Sequence, residues 1–499
     1  MQRIRPDRPW PLFDIAATRR IEQTATAALP AHALMQRAGL AVARLSLAIA
    51  PHARTVWIAC GPGNNGGDGL EAALHLQRWG KAPYVTWAWD ESKTPADALA
   101  SLNRARDAGV SIGHSPPPGW DLAIDALLGI GSAREPVGRL ADWITAMNVS
   151  PAPVLAVDLP SGIDADQGTG IAIRASHTLC LLTLKPGLFT AQGRDAAGEI
   201  WFDDLDVVVD MKDAGPVARL SSGSAAMPRQ HASHKGSFGD VAVIGGAPGM
   251  AGAALLAGSA ALHGGAGRVF VGLLDGGAMR VDSSQPELML RPWDSLDLGS
   301  MSVACGCGGG EAVRAALPTV LSTARALVLD ADALNAIAAD AQLRSQLRAR
   351  ARRGRATVLT PHPLEAARLL GRSSADIQAD RLAAAGELAQ RFSCVAVLKG
   401  SGTVTESPGE LPVINFTGNA RLATAGTGDV LAGMIAARLA QGQGAFDAAV
   451  QAAHLHGQLA DRWPEDMVLT ASALAAQCGR NGAQLTRRAE NFNATEDPK

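Results

Sequence analysis

The segment GPGNNGGDG at residues 61–69 follows an apolar run typical of a β-strand, residues 55–60, and precedes a run with helical periodicity. Its five glycines allow a tight turn and a close approach of the backbone to a ligand. Free N–H groups at the start of the following helix would face an anion such as a phosphate. Glycine content alone fits an ordinary turn equally well, but Asn64, Asn65 and Asp68 favour a binding site. The segment is neither a Walker loop nor a complete dinucleotide fingerprint.

The chain of 499 residues is long enough for two or three domains. Its 45 Lys and Arg residues nearly balance its 47 Asp and Glu residues, which argues against a dedicated nucleic-acid-binding protein. The N-terminal residues lack the apolar core of a signal peptide. The apolar stretch 241–267 is interrupted by Pro248 and several glycines, which predicts a buried strand and a helix of small residues, with no membrane span. We expect a cytoplasmic enzyme that binds neither nucleic acid nor membrane.

The six cysteines are scattered over the chain, which argues against a disulfide framework and again favours the cytoplasm. Cys305 and Cys307 form a C-x-C pair. No second pair lies nearby in the sequence, so the spacing does not predict a zinc site.

Strand-like runs alternate with helical patterns in two successive halves. In the first half, strands are expected at residues 56–60, 82–87, 122–126, 154–157 and 177–182. In the second half, they are expected at residues 241–244, 268–271, 326–329, 357–359 and 395–398. Residues 211–234 are rich in Ala, Gly, Ser and Pro, which is typical of a connector. The alternation predicts an α/β fold with two parallel sheets, each covered by helices on both faces.

Three polar segments follow strands of the first half: GPGNNGGDG, DALLG from Asp125 and DLPSGID from Asp158. The carboxyl ends of parallel strands are where α/β proteins bind ligands, so these segments should converge on one crevice. Asp and Ser also cap helices, and capping is the simplest interpretation of Ser161 taken alone. Together the carboxylates, hydroxyl and amides form an oxygen-rich set suited to an alkali or alkaline-earth cation.

With MQRAG at residues 35–39, these segments resemble the NAD(P)H-hydrate epimerase family over nearly the whole first half. The resemblance implies a Rossmann-like three-layer domain at residues 1–215 that interconverts the R and S forms of hydrated NADH or NADPH. It also implies a potassium ion held by Asn65, Asp125 and Ser161.

The same resemblance implies that Asp158 binds the substrate and transfers the proton. The other substrate-binding residues that it implies are Asn64, Asn65, Gly66, Gly67, Asp68, Gly129, Ile130, Gly131, Ser132, Ala133, Arg134 and Glu135. Gln36 departs from the glutamate that is common in the family, which weakens any role for that position.

The segment NARLATAGTGDVLAG at residues 419–433 is the most informative motif of the second half. Its AGTG run offers backbone N–H groups at the start of a helix, where an anion would bind. Asp429 follows and would accept the proton of a hydroxyl group during phosphorylation; the alternative is a carboxylate that only complements the helix dipole. The segment KGSGTV at residues 399–404 follows a strand, and Lys399 would meet phosphates.

These segments, with KGSFGDVAVIGG, GAGRV, DADALN and TPHPLEAARLL, resemble the ADP-dependent NAD(P)H-hydrate dehydratases of the ribokinase-like superfamily. The resemblance implies a ribokinase-like three-layer domain at residues 230–490, with ADP as co-substrate and Mg²⁺. The residues implied to bind the hydrated nucleotide are Ala253, Gly306, His362 and Asp429. Those implied to bind the adenosine phosphate are Lys399, Gly400, Ser401, Gly402, Thr403 and Gly428.

Two segments depart from the family pattern. CGCGGG at residues 305–310 replaces the usual Gly-Pro-Gly-Leu-Gly run, which weakens the assignment of Gly306. Ala420 replaces a common proline, and Ala425 replaces a common glycine, so the loop should be narrower but still present.

The sequence therefore predicts a fused repair enzyme: the first domain epimerises hydrated NAD(P)H, and the second dehydrates the S form at the expense of ADP. We expect it to form a homo-oligomer. A small-molecule kinase of the ribokinase type is an alternative, but it leaves GPGNNGGDG unexplained. A non-catalytic nucleotide-binding scaffold is a second alternative, and the full set of Asn65, Asp125, Asp158 and Ser161 argues against it.

Overall fold

The computed structural model describes residues 1–131, 135–209, 215–223 and 231–479. The chain divides into two compact units. The first contains Met1–Arg5 and Trp10–Arg219, and the second contains Pro6–Pro9 and the chain from Leu220 onward. The domain limits expected from the sequence stay predictions, because part of the connector and the residues after 479 lie outside the described residues.

The first unit is built around a mainly parallel sheet with the strand order β1-β9-β8-β7-β6-β3-β4-β5, in which β1 is antiparallel to β9. Strands β1–β9 are Gln2–Arg3, Pro11–Leu12, Thr55–Cys60, Ala82–Thr86, Ser111–Gly113, Leu122–Ala126, Val154–Val157, His177–Leu181 and Glu199–Asp203, and β10 is Ala218–Leu220. Helices α1–α6 are Ile15–Ala28, Ala33–Ile49, Asn64–Arg78, Ala96–Asp107, Arg139–Val149 and Gly193–Ala196. Strand β2 pairs antiparallel with β10 through Pro11 and Leu12.

The second unit has a sheet with the order β13-β12-β11-β14-β15-β16-β17-β18-β19, parallel as far as β17. Strands β11–β19 are Asp240–Gly245, Arg268–Leu273, Met289–Leu290, Ser302–Cys305, Ala326–Leu329, Thr357–Leu359, Val395–Leu398, Val404–Glu406 and Val413–Ile414. Helices α7–α16 are Ala251–His263, Val313–Thr323, Ala331–Ala339, Ala341–Arg352, Pro363–Leu370, Ser374–Ala379, Arg381–Phe392, Thr427–Ala440, Ala445–Asp461 and Ala471–Ala475.

Each sheet separates two apolar cores, because successive side chains of a strand point to opposite faces. In β3, Val56 and Ile58 join one core of the first unit, while Trp57 and Ala59 join the other. In β11 of the second unit, Val243 and Ile244 divide in the same way. Burial on both faces explains why these strands read as continuous apolar runs, and it gives each unit three layers.

The strands expected from the sequence are all present, with ends that differ by no more than two residues. The stretch from residue 241 forms a buried strand followed by the small-residue helix α7, as predicted. Among the described residues, no helix combines the length and apolar character that crossing a bilayer requires.

Two local expectations are wrong. Asn64 already begins helix α3, so the polar residues after it lie in the first turns of a helix instead of in a loop. Asp125 lies inside strand β6 and does not follow it.

Both sheets contain a point at which the strand order reverses: between β3 and β6 in the first unit, and between β11 and β14 in the second. Crossover connections leave in opposite directions there, which opens a crevice at the carboxyl ends of the two strands. The glycine segment leaves β3, and the CGCGGG segment begins at the end of β14. Each unit therefore places a conspicuous motif at its expected binding crevice.

Candidate functional site

The glycines of GPGNNGGDG allow close packing and not a left-handed turn. None of the five has a positive φ angle. A Cβ on Gly66 would lie 2.1 Å from the carbonyl oxygen of Gly61, and a Cβ on Gly67 would lie 2.5 Å from Met35 Sδ. These two predicted substrate-binding residues are buried and support the helix that carries Asn64 and Asn65.

A cavity of about 730 Å³ lies beside this helix in the first unit. Its lining includes these predicted site residues: Asn64, Asn65, Asp68, Gly129, Ile130, Gly131 and Asp158. Glu135 is exposed and does not belong to the lining. The predicted residues Ser132, Ala133 and Arg134 lie outside the described residues.

The predicted cation ligands Asp125 and Ser161 form a buried pair. Ser161 donates from Oγ to Asp125 Oδ1 at 2.6 Å and from its backbone N–H to Oδ2 at 2.8 Å. Burial raises the pKa of Asp125 to about 6, against the effect of these hydrogen bonds. Among the described residues, no Lys or Arg forms an ion pair with this carboxylate. A buried carboxylate of this kind favours a bound cation.

Asn65 and this pair both lie next to the segment that follows β6. The Leu128 N–H donates to Ser161 Oγ at 2.9 Å, and a Cβ on the adjacent Gly129 would lie 3.4 Å from Asn65 Cβ. The Asn65 amide nitrogen is buried and has no hydrogen-bond partner among the described residues. The predicted ligands Asn65, Asp125 and Ser161 thus all lie next to the backbone of residues 127–129.

Asp158 follows β7 in a left-handed conformation with φ 67°. The Lys185 ammonium, which is fully buried, donates hydrogen bonds to Asp158 Oδ1 and to the Leu181 carbonyl oxygen. Sequence analysis did not identify Lys185. The available signal was a lone lysine at the end of the apolar run 179–184.

Two further carboxyl groups line the cavity near Asp158. Burial and then the Asp158 carboxylate raise the pKa of Glu22, which lies on α1. The same two causes raise the pKa of Asp68 well above its ordinary value. The cavity therefore holds an ion-paired carboxylate beside two carboxyl groups whose pKa values are raised. Glu22 carries no motif that the sequence could have revealed.

The second site is assembled at the ends of three neighbouring parallel strands. Asp330 follows β15, Thr360 follows β16 and Lys399 follows β17. Asp330 Oδ1 accepts hydrogen bonds from Lys399 Nζ at 2.6 Å and from Thr360 Oγ1 at 2.8 Å. Burial lowers the pKa of Lys399, but Asp330 and Glu365 outweigh burial and the pKa is raised. Lys399 is thus a fixed positive charge.

Helix α14 begins beside this lysine, as the AGTGD motif predicted. Gly426 caps the helix, Thr427 is its first residue and Asp429 its third. A Cβ on Gly428 would lie 3.3 Å from Lys399 Nζ, so two predicted phosphate-binding residues meet here. Backbone N–H groups at the helix start and the ammonium group both favour an anion.

Asp429 lies between acidic and basic neighbours. Burial and then the Asp330 carboxylate raise the pKa of Asp429 to about 6, whereas Cys307 and Lys399 act in the opposite direction. Near pH 7 the group is still largely ionised and has the proton affinity of a useful general base. Sequence analysis assigned no role to Asp330 or Cys307.

The loop KGSG, at residues 399–402, is supported by a buried arginine, Arg381, at the start of α13. Its guanidinium group donates to the carbonyl oxygens of Leu398, Lys399 and Gly402 at 3.2–3.4 Å. Gly400 has φ 134°, and a Cβ there would lie 3.0 Å from Arg381 Nη1. The predicted nucleotide-binding residues of this loop therefore share one rigid support. Ser401 is exposed, and Thr403 donates from Oγ1 to the Gly400 carbonyl oxygen at 3.2 Å.

The remaining predicted residues lie around the same crevice. His362 caps α11: its Nδ1 accepts the Leu364 N–H at 3.1 Å, and Glu365 accepts the His362 N–H at 2.8 Å. Burial, and then Lys399, lowers the pKa of His362. The His362 side chain therefore stabilises the loop at the start of α11.

Gly306 has φ 119°, and a Cβ there would lie 2.0 Å from the Asp330 carbonyl oxygen, so only glycine fits at this position. Ala253, on α7, faces Gly308.

Comparison with known proteins identifies two domains in the chain. A family model described as NAD(P)H-hydrate dehydratase matches residues 241–479, and one described as YjeF-related protein N-terminus matches residues 31–187. The expected fold, a Rossmann-like domain followed by a ribokinase-like domain, is confirmed.

Full-length relatives carry the same pair of domains. The bifunctional NAD(P)H-hydrate repair enzyme Nnr of Escherichia coli (strain K12) is 38% identical over 96% of this chain and 92% of its own length. The corresponding enzyme of Coxiella burnetii is 33% identical over 91% of this chain and 95% of its own length.

Among solved structures, an ADP/ATP-dependent NAD(P)H-hydrate dehydratase from Bacillus subtilis is 30% identical, with a TM-score of 0.42. That match covers 52% of this chain and 93% of the other. On the identity and coverage of its full-length relatives, the chain belongs to the family of bifunctional NAD(P)H-hydrate repair enzymes.

Proposed function

We propose that this chain restores hydrated NADH and NADPH in two steps. The first unit interconverts the R and S forms of the hydrate, and the second removes water from the S form while ADP is converted to AMP and phosphate. The observation that carries the proposal is the presence of two complete polar sites, one in each unit of a chain of this family. One site pairs Asp158 with Lys185, and in the other Asp429 lies near Lys399, which is paired with Asp330.

Inversion at carbon 6 of the hydrated ring requires a base and an acid. Asp158, fixed by Lys185, is the base that removes the proton of the carbon 6 hydroxyl. Glu22 and Asp68 have raised pKa values and can return a proton to the ring nitrogen. The ring then opens at the bond between nitrogen and carbon 6 and recloses on the other face.

We assign the potassium ion of this site to oxygen atoms of Asn65, Asp125 and Ser161. The donor set fits an alkali cation, because all three residues offer oxygen and the Asp125 carboxylate is buried. When bound, such an ion would supply positive charge beside the buried Asp125 carboxylate. Equal epimerase rates with and without potassium, at constant ionic strength, would contradict this assignment.

In the second unit, Asp429 takes the proton from the carbon 6 hydroxyl while that oxygen attacks the β-phosphate of ADP. Lys399 and the start of α14 stabilise the phosphate charge. Loss of the phosphate from carbon 6 and of a proton from carbon 5 then restores the ring. Asp332 offers a hard oxygen ligand for a nucleotide-bound Mg²⁺; its Oδ2 accepts the Gly310 N–H at 2.8 Å.

We further propose that the enzyme works in the cytoplasm as a homo-oligomer. All six cysteines are free and buried, which suits a reducing compartment. Light scattering after size-exclusion chromatography tests the oligomer.

The test of the function uses the whole chain and a mixture of both epimers of hydrated NADH. With ADP, we expect the absorbance of the dihydronicotinamide to return fully, and AMP to appear in equal amount. A small-molecule kinase would instead leave a stable phosphorylated alcohol. No recovery of absorbance from either epimer would refute the proposal.

A further inference from the structure

The two cysteines of the C-x-C pair do not act together. Cys305 ends β14 and joins the core on one face of the sheet, whereas Cys307 joins the core on the other face. Gly306 between them has φ 119° and redirects the backbone. Cys307 is thereby brought to the crevice of the second unit, and Cys305 remains an ordinary core residue.

Cys307 lies among the acidic groups of the dehydratase site. Its Sγ, one carboxylate oxygen of Asp330 and one of Asp429 all lie within 4.8 Å of one another. The Cys307 thiol lowers the pKa of Asp429, against the effect of burial. Asp330 Oδ1 accepts from Lys399 and Thr360, while a Cβ on Gly428 would lie 3.9 Å from Oδ2. One oxygen of Asp330 thus faces the start of α14.

One sulfur and two carboxylate oxygens form a donor set for a thiophilic cation such as Zn²⁺ or Cd²⁺. Mg²⁺ prefers oxygen alone and gains little from the thiol. Once the Cys307 thiol has lost its proton to a bound cation, the thiolate and the two carboxylates would carry three negative charges, and the Lys399 ammonium beside them carries one positive charge. A divalent cation would neutralise the remaining two.

We propose that Cys307, Asp330 and Asp429 bind a thiophilic divalent cation, and that this cation stops dehydration without affecting epimerisation. Binding replaces the proton of the Cys307 thiol by a metal–sulfur bond and releases that proton to water. No oxidation or reduction occurs. Dehydration stops because the bound cation occupies the carboxylate of Asp429, which must otherwise accept the hydroxyl proton.

The proposed metal site depends on a cysteine in the loop that follows β14. Cys307 belongs to the CGCGGG segment, which departs from the Gly-Pro-Gly-Leu-Gly run usual in the family. The inferred inhibition rests on the proposed dehydratase function, but metal binding does not, so the two are measured separately.

The binding test uses the full chain without nucleotide or Mg²⁺, titrated with Cd²⁺. We expect a sulfur-to-cadmium charge-transfer absorption that saturates at one Cd²⁺ per chain. Cys307→Ser and Cys307→Ala should lose it, whereas Cys305→Ser, the matched control, should keep it. Absorption that persists in both Cys307 variants, or that is absent from the wild-type chain, would overturn the proposal.

The activity test measures both reactions at increasing free Zn²⁺. Wild type and Cys305→Ser should lose dehydration and keep epimerisation, and a chelator should restore dehydration. In Cys307→Ser, half-inhibition should need at least roughly tenfold more Zn²⁺. Equal Zn²⁺ sensitivity in Cys307→Ser and wild type would overturn the inhibitory role, even if Cd²⁺ binds. If the chain binds Cd²⁺ but lacks dehydratase activity, only the proposed function fails.

Discussion

Asp158 occupies a backbone conformation that few residues tolerate. Its φ of 67° is in the left-handed region, where Asn and Asp are the least unfavourable residues after glycine. The conformation is held by the Asp158 N–H, which donates to the Leu179 carbonyl oxygen at 2.8 Å, and by Oδ1, which accepts the Leu181 N–H at 3.2 Å. Strain of about 1–3 kcal/mol at such a position is typical of functional sites.

Asp158→Asn should therefore fold normally, because asparagine tolerates the same backbone conformation. We expect epimerisation to slow by roughly 10²–10⁴-fold, since the amide cannot accept the proton. The rate is measured as the consumption of pure R hydrate in the presence of excess second-unit activity. Dehydration of pure S hydrate by the same variant is the internal control. Wild-type epimerisation would refute the role of Asp158.

Asp429 governs the pH dependence of dehydration. Its pKa is raised to about 6, so the base is protonated and inactive below that pH. The dehydration rate at saturating ADP should therefore fall as the pH decreases through about 6, while epimerisation follows its own profile. Asp429→Asn should be slower by roughly 10²–10⁴-fold and still bind ADP. Poor ADP binding with normal turnover at saturation would instead make Asp429 a nucleotide ligand or helix cap.

At the scale of elements, the loop between β17 and β18 depends on Arg381 of α13. Arg381→Lys removes the guanidinium nitrogen Nη2, which donates to three carbonyl oxygens. We expect the KM for ADP to rise roughly tenfold, with little change in kcat, because the loop loses its order before ADP binds. Arg391→Lys on the same helix is the control, since Arg391 binds the carbonyl oxygens of Leu369 and Leu370 instead. Equal effects of the two substitutions would contradict this role.

Most buried strands were readable from the sequence because each is a short apolar run, but the buried strand β14 was not predicted. The start of α3 was not readable, because the glycines of GPGNNGGDG suggest a turn. In the structure, these glycines instead allow the helix to pack closely against Met35 and Gly61. Asp429 and Lys399 were found through their motifs. Glu22, Lys185 and Arg381 were missed, because their roles arise only when segments that are distant in sequence pack together.

At the scale of the whole molecule, each unit contains its own predicted site. The two units should therefore be active when they are produced as separate fragments. We expect residues 1–215 to epimerise without ADP, and residues 230–499 to dehydrate only the S form. Each fragment has its own two-sided core, which supports independent folding. Circular dichroism and the two assays on the separate fragments test this. Loss of folding in both fragments would refute independence.

The start of the chain is shared between the units. Pro6–Pro9 belong to the second unit, although the residues on both sides of them belong to the first, and the Gly223 N–H donates to the Pro6 carbonyl oxygen at 3.4 Å. The ribosome makes Pro6–Pro9 before Trp10–Arg219 of the first unit, and it makes the rest of the second unit after them. At about 5–20 residues per second, the delay is on the order of ten seconds or more. In a newly made chain, the second unit is therefore complete only when Pro6–Pro9 pack against residues that are synthesised much later.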